Sequence, residues 1–228
     1  MYDLIIANKN YSSWSLRPWI LLKTLNIPFN EKLFKFGSAF DDPAFLAVSP
    51  AKMVPVLHDG DTIVWDSLAI VEYVAEQHDG VWPADAVARA WARCAAAEMH
   101  SGFSALRNTC PMNCALRVAL DETAKAAVST NLARIDALWQ DGLRRLGGPF
   151  LAGSTFTAVD AFYAPVVFRL QTFGLELSAA SAAYAQRILS LADMRDWYES
   201  ALAETPNDPD HEVGASANGV VLKDYRLA

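Results

Sequence analysis

Two adjacent hydroxyl residues, Ser12 and Ser13, stand between a short apolar run and a stretch with helical periodicity. A hydroxyl at a helix N-terminus can donate to an anion, and the free backbone N–H groups and positive dipole end favour negative charge there. The same field lowers the pKa of cysteines at helix N-termini, so a bound thiolate would be favoured at this position. The alternative is that these serines only cap the helix.

A proline inside an apolar, strand-like segment marks a second candidate, at Val54 and Pro55. Proline in a strand is confined to edges and bulges, or it carries a cis peptide bond. Val54 can then keep unpaired backbone N–H and C=O groups, which could pair with an extended peptide ligand as an added strand. The alternative is an ordinary edge strand in which the proline guards against aggregation.

The third candidate is the pair Asp66 and Ser67, which precedes an apolar helical segment. The Ser67 hydroxyl and the free N–H groups of a helix start suit a ligand carboxylate, and the Asp66 carboxylate suits an ammonium group. The pair would therefore recognise the head group of an amino acid. Helix capping is again the alternative, since aspartate is favoured near the positive end of a helix.

The elements that must position these residues alternate through the first part of the chain. Residues 4–7 predict a buried strand, residues 16–25 a helix and residues 29–36 a second strand. Strand-like segments on either side of Asp59-Gly60 predict a β-hairpin, followed by a helix. The order β-α-β, then β-β-α, predicts a small mixed sheet with helices on its faces.

The remainder of the chain, from about residue 85 to residue 204, reads as helical. The predicted helices are residues 86–108, 116–146, 158–173 and 182–202. Residues 205–219 are rich in Asp, Pro, Gly, Ser and Asn, and this composition predicts a loose segment.

On this frame, residues 12–17, Val54-Pro55 and residues 66–70 together resemble the thioredoxin-like half of glutathione S-transferases. The helical remainder has the expected length and order, so the resemblance covers nearly the whole chain. It implies that glutathione is the co-substrate, that the peptide lies along Val54 as a strand would, and that its γ-glutamyl end contacts Asp66 and Ser67.

The resemblance also implies the fold class and the domains. We expect an α/β N-terminal thioredoxin-like domain (βαβ-ββα), which binds glutathione, at residues 1–82. An all-α C-terminal helical domain, with an acceptor-substrate face and a loose C-terminal tail, is expected at residues 85–228. Members of this family are typically homodimers, so we expect a homodimer here.

The Ser-Ser-x-Ser-x-Arg sequence is most similar to the zeta and maleylacetoacetate isomerase branch of that family. By this resemblance Ser12 activates the glutathione thiol and Ser13 lies close by. The family pattern has Cys where Trp14 stands and Gln where Met53 stands. Trp14 is therefore expected to reshape the acceptor pocket, and Met53 removes one polar contact to glutathione.

Met99, Phe103 and Arg107 recur with helical spacing and extend the predicted acceptor pocket of Trp14. In the resembling family this helix faces glutathione across the domain cleft. Met99 and Phe103 could then bind an apolar electrophile, and Arg107 could hold an acidic or carbonyl group. The alternative is that the stripe belongs to the hydrophobic core.

Thr157 and Asp160 form a capping box, with Asp in the place of Glu or Gln, ahead of an apolar helix. Family members carry a similar box at a buried helix of the second domain. We therefore assign Thr157 and Asp160 to folding stability rather than to substrate contact.

Composition excludes several other classes of function. Nineteen Lys and Arg residues against 26 Asp and Glu residues give a net charge of −7, so we expect no nucleic-acid binding and no anionic membrane surface as a partner. Three cysteines and scattered histidines predict neither a disulfide framework nor a metal site. The absence of a signal sequence and of a long apolar run predicts a cytoplasmic protein.

The reaction implied by the resemblance is attack of the glutathione thiolate on a small electrophile. Two alternatives remain. The first is glutathione-dependent cis–trans isomerisation of a maleylacetoacetate-like diacid at the same serine. The second is a non-catalytic glutathione-binding or partner-docking module, which the departures at Trp14 and Met53 motivate.

Overall fold

The computed structural model describes residues 1–49 and 51–227. A four-stranded sheet has the order β2-β1-β3-β4. Its strands are β1 (Tyr2–Ile6), β2 (Phe29–Leu33), β3 (Val56–Asp59) and β4 (Thr62–Trp65). Strand β1 pairs parallel to β2 and antiparallel to β3, and β3 and β4 form the predicted hairpin.

Helices α1 (Ser13–Thr24) and α3 (Ser67–Ala75) pack together. Each is preceded by a polar residue, Ser12 or Asp66, that caps its first turn. The short helix α2 (Pro43–Val48) lies between β2 and β3. The predicted start of α1 at residue 16 is three residues late. Pro18 therefore lies in the second turn, where proline cannot donate to the carbonyl of Trp14.

Helices form most of the second half of the chain, which confirms the predicted thioredoxin-like and helical halves. They are α4 (Ala86–Ser101), α5 (Ser104–Thr109), α6 (Glu122–Leu146), α7 (Ala158–Phe173), α8 (Ala179–Leu189), α9 (Ala192–Ala203) and α10 (Pro209–Ser216). Helix α7 is buried along almost its whole length and packs against α1 and α4. None of the helices in the described part of the chain combines the length and apolar character of a membrane span.

Several local predictions for the helical half are wrong. The predicted helix at residues 182–202 is divided into α8 and α9. Leu116–Leu120 forms strand β5 instead of the first turns of a helix, and it pairs antiparallel with β6 (Gly219–Asp224). The segment predicted to be loose contains α10, whose first turn is capped by Asp208. A tertiary pairing between segments a hundred residues apart overrides the helical preference of β5.

The loop between β1 and α1 is fixed by the helical half of the molecule. The Glu204 carboxylate accepts hydrogen bonds from the backbone N–H groups of Lys9 and Asn10, at 2.7 and 3.3 Å. The indole N–H of Trp197 donates to the carbonyl of Lys9 at 2.8 Å, and the Cys114 N–H donates to that of Asn10 at 3.2 Å. Backbone groups that would otherwise be unpaired on burial are thereby satisfied.

Asp160 is a fully buried carboxylate at the start of α7. It accepts hydrogen bonds from the backbone N–H groups of Leu151 and Thr157, both at 2.9 Å, and from the Tyr184 hydroxyl at 3.1 Å. Burial nevertheless raises the pKa of Asp160 to about 6. The side chain joins three segments of the helical half, as its structural assignment predicts.

Replacing Asp160 should therefore destabilise the fold far more than replacing an exposed cap. We expect Asp160→Ala to lower the free energy of unfolding by about 3 kcal/mol, because it leaves several buried donors unpaired. Asp121, which caps α6 through one bond from the Ala124 N–H, is the matched control. Asp121→Ala should cost about 1 kcal/mol in the same urea titration. Equal losses would contradict the role given to Asp160.

Candidate functional site

A cavity of about 590 Å³ opens between the sheet-containing half and the helical half. Its walls come from the β1–α1 loop, the segment before β3, the start of α3, and helices α5, α7 and α10. The lining residues are Tyr11, Ser12, Ser13, Trp14, Phe36, Phe40, Lys52, Met53, Val54, Pro55, Trp65, Asp66, Ser67, Arg107, Asn108, Pro111, Met112, Arg169 and His211. All three sequence-predicted polar motifs therefore meet in one space.

Ser12 is the N-cap of α1, as the capping interpretation predicts. Its hydroxyl oxygen accepts from the Ser15 N–H at 3.3 Å, and its hydroxyl hydrogen is donated to the Ser15 Oγ at 2.7 Å. Ser13 is half-buried at the first position of the helix, and its hydroxyl has no hydrogen-bond partner within residues 1–49 and 51–227. Two hydroxyl groups and a helix N-terminus thus face the cavity together.

Trp14 makes cation–π contacts with two guanidinium groups. The Cζ of Arg17 is 4.1 Å from the centroid of the Trp14 ring, and the Cζ of Arg107 is 5.0 Å from it. His100 meets the same ring edge-on at 5.4 Å. These contacts fix the indole in the cavity wall and hold Arg107 at the cavity surface.

Val54 and Pro55 line the cavity beside the sheet, and the peptide bond between them is cis. The Val54 N–H and C=O groups make no hydrogen bond to another residue that the structure describes. The preceding turn is held by Ser49, whose Oγ accepts from the Met53 N–H at 3.0 Å and donates to the Met53 carbonyl at 2.7 Å. Val54 therefore presents a free backbone donor and acceptor at the cavity wall.

Asp66 caps α3 with a backbone φ of 75°, and its Oδ1 accepts from the Leu68 N–H at 2.7 Å. Its other oxygen lies 3.5 Å from the Nε2 of His100, which reaches it from α4. Ser67 is buried, and its Oγ accepts from the Arg17 guanidinium at 3.3 Å. One carboxylate and one hydroxyl, with the N-terminus of α3, are therefore presented side by side.

Arg107 and Arg169 line the cavity, and Arg17 lies behind it against Trp14 and Ser67. Arg17 and Arg169 are buried, and neither they nor Arg107 form an ion pair with a carboxylate in the described part of the chain. Burial and the like charges of its two neighbours lower the pKa of Arg17 to about 9. Arg169 donates its Nε to the Cys110 carbonyl at 2.9 Å, whereas one of its terminal nitrogens is buried without a partner. Unpaired buried cations favour an anionic ligand.

The C-terminal helix α10 closes one end of the cavity. The Tyr11 hydroxyl donates to the Glu212 carboxylate at 2.6 Å, and Arg226 forms an ion pair with Glu212 at 2.7 Å. The ring of His211 stacks on that of Tyr11 at 5.0 Å. This wall was not predicted, because its residues lie in the segment whose composition indicated a loose tail.

Two residues of the predicted acceptor pocket are not at the cavity. Met99 and Phe103 are buried in the hydrophobic core, whereas Trp14 and Arg107 line the cavity. The predicted single helix is interrupted at Gly102 and Phe103, which has a left-handed φ of 55°. Because of this interruption, Arg107 does not continue the helix face of Met99 and Phe103, and it lies at the cavity instead. Arg169 also lines the cavity, and the sequence did not predict this. It is a single arginine in an apolar helix, so its spacing to other residues indicates no ligand or contact.

Cysteines do not contribute to the lining. Cys94 is exposed on α4, while Cys110 and Cys114 are buried, and all of them are unpaired. Burial raises the pKa of the Cys110 thiol to about 12, so it is a poor nucleophile.

Comparison with known proteins identifies similar chains across most of this length. Residues 11–77 match the family model described as the glutathione S-transferase N-terminal domain, and residues 119–200 match that of the glutathione S-transferase C-terminal domain. A probable maleylacetoacetate isomerase of Caenorhabditis elegans is 27% identical over 171 residues, which cover 73% of this chain and 77% of the relative. A glutathione S-transferase of Xanthomonas campestris is 28% identical over 192 residues, 79% of this chain and 91% of the relative.

Solved structures agree with the fold. A glutathione transferase homologue from Burkholderia gl BGR1, with bound glutathione, superimposes with a TM-score of 0.65 at 22% identity. The match covers 88% of this chain and 97% of that one. At this identity the likeness supports the arrangement of the two halves and carries no assignment of individual residues.

Proposed function

The chain belongs to the glutathione S-transferase family, and we propose that it binds glutathione in the cavity and directs the glutathione thiolate at a small electrophile. The observation that carries this proposal is the convergence of Ser12, Val54, Asp66 and Ser67 on one cavity. In this proposal residues 1–82 form the glutathione-binding domain. Residues 85–228 supply the acceptor-substrate face.

The unpaired backbone of Val54 is the proposed contact for the middle of the tripeptide. An extended peptide that runs antiparallel to this segment can exchange hydrogen bonds with the Val54 N–H and C=O groups, as an added strand does. Lys52 lies at the same wall and can pair with the terminal carboxylate of the peptide. Met53 is 61% exposed and offers no side-chain hydrogen bond, so the backbone carries the polar recognition here.

The γ-glutamyl head group is assigned to the start of α3. Its carboxylate suits the Ser67 hydroxyl and the free N–H groups of the helix, while its ammonium suits the Asp66 carboxylate. Arg17, which donates to Ser67, adds a positive charge behind that carboxylate. The Asp66 oxygen that does not cap the helix lies 3.5 Å from the Nε2 of His100.

With both ends held in this way, the cysteinyl sulfur reaches the N-terminus of α1. Rotation of the Ser12 hydroxyl moves its hydrogen from the Ser15 Oγ to the sulfur, while the Ser12 oxygen keeps its bond from the Ser15 N–H. A free thiol has a pKa of about 8.5, and each unit by which it is lowered corresponds to about 1.4 kcal/mol in favour of the thiolate. A hydroxyl donor and a helix end are together sufficient for about one to two units.

Removal of the Ser12 hydroxyl should impair the reaction more than binding. We expect Ser12→Ala to lower kcat for conjugation of chlorodinitrobenzene by about a hundredfold, because one preorganised donor to the reacting sulfur is lost. The affinity for glutathione, measured by calorimetry, should stay nearly unchanged.

Ser13→Ala is the matched control, because it removes a neighbouring cavity hydroxyl that is not the cap. It should retain most of the activity. Denaturation of both variants checks that the lost cap of Ser12→Ala, worth about 1 kcal/mol, leaves the protein folded. Equal turnover of Ser12→Ala and the wild type would remove Ser12 from the role, and a large loss in Ser13→Ala alone would transfer the role to Ser13.

A second candidate activity, cis–trans isomerisation of a small diacid, is favoured by the unpaired arginines. Arg107 and the partnerless nitrogen of Arg169 lie in the cavity wall formed by the helical half. Guanidinium groups bind carboxylates through paired N–H donors. Reversible addition of the thiolate to a cis double bond permits rotation, and release of the thiolate then gives the trans isomer.

Replacement of Arg169 separates the two activities. We expect Arg169→Met to raise KM for a maleyl diacid by about tenfold or more, through loss of a charged hydrogen bond, and to change chlorodinitrobenzene turnover much less. Arg117→Met is the control, since Arg117 stacks on Tyr225 and does not line the cavity. Parallel losses with both substrates would show that Arg169 only supports the fold.

We also propose that two copies of the chain associate through the free edge of the sheet. Strand β4 is an edge strand, and Trp65 at its end is 49% exposed. An apolar groove beside it is lined by Ile63, Val64, Trp65, Asp66, Leu68, Ala69 and Glu72. Exposed apolar surface of this kind is typical of an interface.

Sedimentation velocity tests this arrangement. The wild type should sediment as a species of twice the chain mass of 25.0 kDa. Trp65→Glu should sediment as the monomer, because a charge would be buried in the interface. Leu222→Glu, which alters an even more exposed apolar position on β6, is the control and should stay dimeric. A monomeric wild type would refute the proposal.

A further inference from the structure

Three aromatic rings form a stack at the end of the cavity that α10 closes. His211 lies between Phe36, at 4.4 Å and an interplanar angle of 24°, and Tyr11, at 5.0 Å and 27°. The three residues come from the β1–α1 loop, the segment after β2, and α10, and all of them line the cavity. Since Tyr11 directly precedes Ser12, the imidazole is held next to the loop that carries the serines.

An ion pair fixes which nitrogen of His211 is available. The Oδ1 of Asp208 lies 2.8 Å from the Nδ1 of His211 and also accepts from the His211 backbone N–H at 3.1 Å. Hydrogen bonds to His211 lower the pKa of Asp208 against the opposing effect of burial, so Asp208 stays a carboxylate. The carboxylate keeps a proton on Nδ1, and Nε2 is left to accept or donate a proton. Nε2 makes no hydrogen bond to any residue of the described ranges.

Two buried polar side chains of the cavity, Tyr11 and Arg169, are unsuited to proton transfer near neutral pH. Burial, followed by the hydrogen bond to Glu212, raises the pKa of Tyr11 to about 12, so its phenol stays protonated. Burial lowers the pKa of Arg169 only to about 10, so it stays a cation. An imidazole is the side chain that ordinarily changes its protonation between about pH 5 and pH 8. His211 is the one histidine among the described residues that line this cavity.

We propose that His211 carries the proton in reactions in which glutathione adds to an activated double bond. This inference rests on the proposed function. The sulfur forms a bond to the β-carbon of an α,β-unsaturated carbonyl compound, and the π electrons move to give an enolate. The proton on Nε2 is transferred to that enolate, and neutral Nε2 then recovers a proton from solvent. The glutathione thiol loses its own proton to solvent on binding, in this reaction and in aryl substitution alike. Substitution of an aryl chloride requires no proton on the acceptor, so it does not need this step.

The charges around the ring fit both protonation states. Asp208, the N-cap of α10, contacts the ring, and Glu212, which accepts from the Tyr11 hydroxyl, is already paired with Arg226. Tyr11 contributes an uncharged phenol from the β1–α1 loop, and Lys35, on the segment that carries Phe36, donates to the Thr205 carbonyl. Asp208 is therefore the group that stabilises the imidazolium from which the enolate takes its proton.

Paired substrates test the proposal. His211→Phe keeps an aromatic ring in the stack and removes the proton carrier. Its kcat for an α,β-unsaturated ketone should fall by about a hundredfold, the usual contribution of a general acid. Its kcat for chlorodinitrobenzene should change less than about threefold, since that reaction makes no use of general acid catalysis by His211.

Chemical rescue distinguishes proton transfer by His211 from a purely structural role of this residue. Free imidazole should restore ketone turnover to His211→Ala, which opens space in the stack, and should have no effect on His211→Phe. His78→Gln is the matched control, because His78 contacts the Tyr2 hydroxyl away from the cavity. It should behave as the wild type with both substrates.

The outcomes separate this proposal from the proposed function. Absence of turnover by the wild type with either acceptor would refute the proposed function itself. Wild-type turnover of both acceptors, together with equal losses for both in His211→Phe or no rescue of His211→Ala by imidazole, would overturn the role of His211 alone.

Discussion

The structure depends on how the helical half holds the loop between β1 and α1. Glu204 binds the N–H groups of Lys9 and Asn10, and Trp197 binds the Lys9 carbonyl, all from helix α9 or its end. This loop leads directly into Ser12 and the first turn of α1. The position of the hydroxyl groups in the cavity is therefore set by the contact between the two halves, and neither half alone contains the site.

Charge is distributed unevenly over the molecule. The chain has a net charge of −7, yet the cavity contains arginines without carboxylate partners in the described residues. Burying a cation without a partner is costly, so proteins retain such groups where a ligand supplies the opposite charge. Glutathione has two carboxylates and, when ionised, a thiolate. A diacid acceptor would add two further carboxylates. The local positive charge of these arginines therefore favours anionic ligands even though the net charge of the chain is negative.

The sequence predicted the parts of the site that depend on local chemistry. Ser12 and Asp66 each cap the helix that follows, and Val54 and Pro55 sit beside a β-hairpin that the turn residues predicted. Such features arise within a few residues and leave a local pattern.

The rest of the site arises from contacts between distant segments. Arg169 reaches the cavity from the middle of α7, and His211 does so only because β5 and β6 pair and bring α10 back over the loop. Phe103 was predicted at the acceptor pocket because the apolar spacing indicated one continuous helix. That helix ends at Gly102, and Phe103 lies in the core. Neither effect leaves a signal in the spacing of residues. The structural role predicted for Asp160 agrees with its burial, because a capping box ahead of an apolar helix is itself a local pattern.

A crystal structure of the complex with glutathione tests the central claim most directly. The account predicts a sulfur within hydrogen-bond distance of the Ser12 hydroxyl, with the cysteinyl backbone paired to Val54. A tripeptide bound elsewhere, or a sulfur remote from both Ser12 and Ser13, would contradict it.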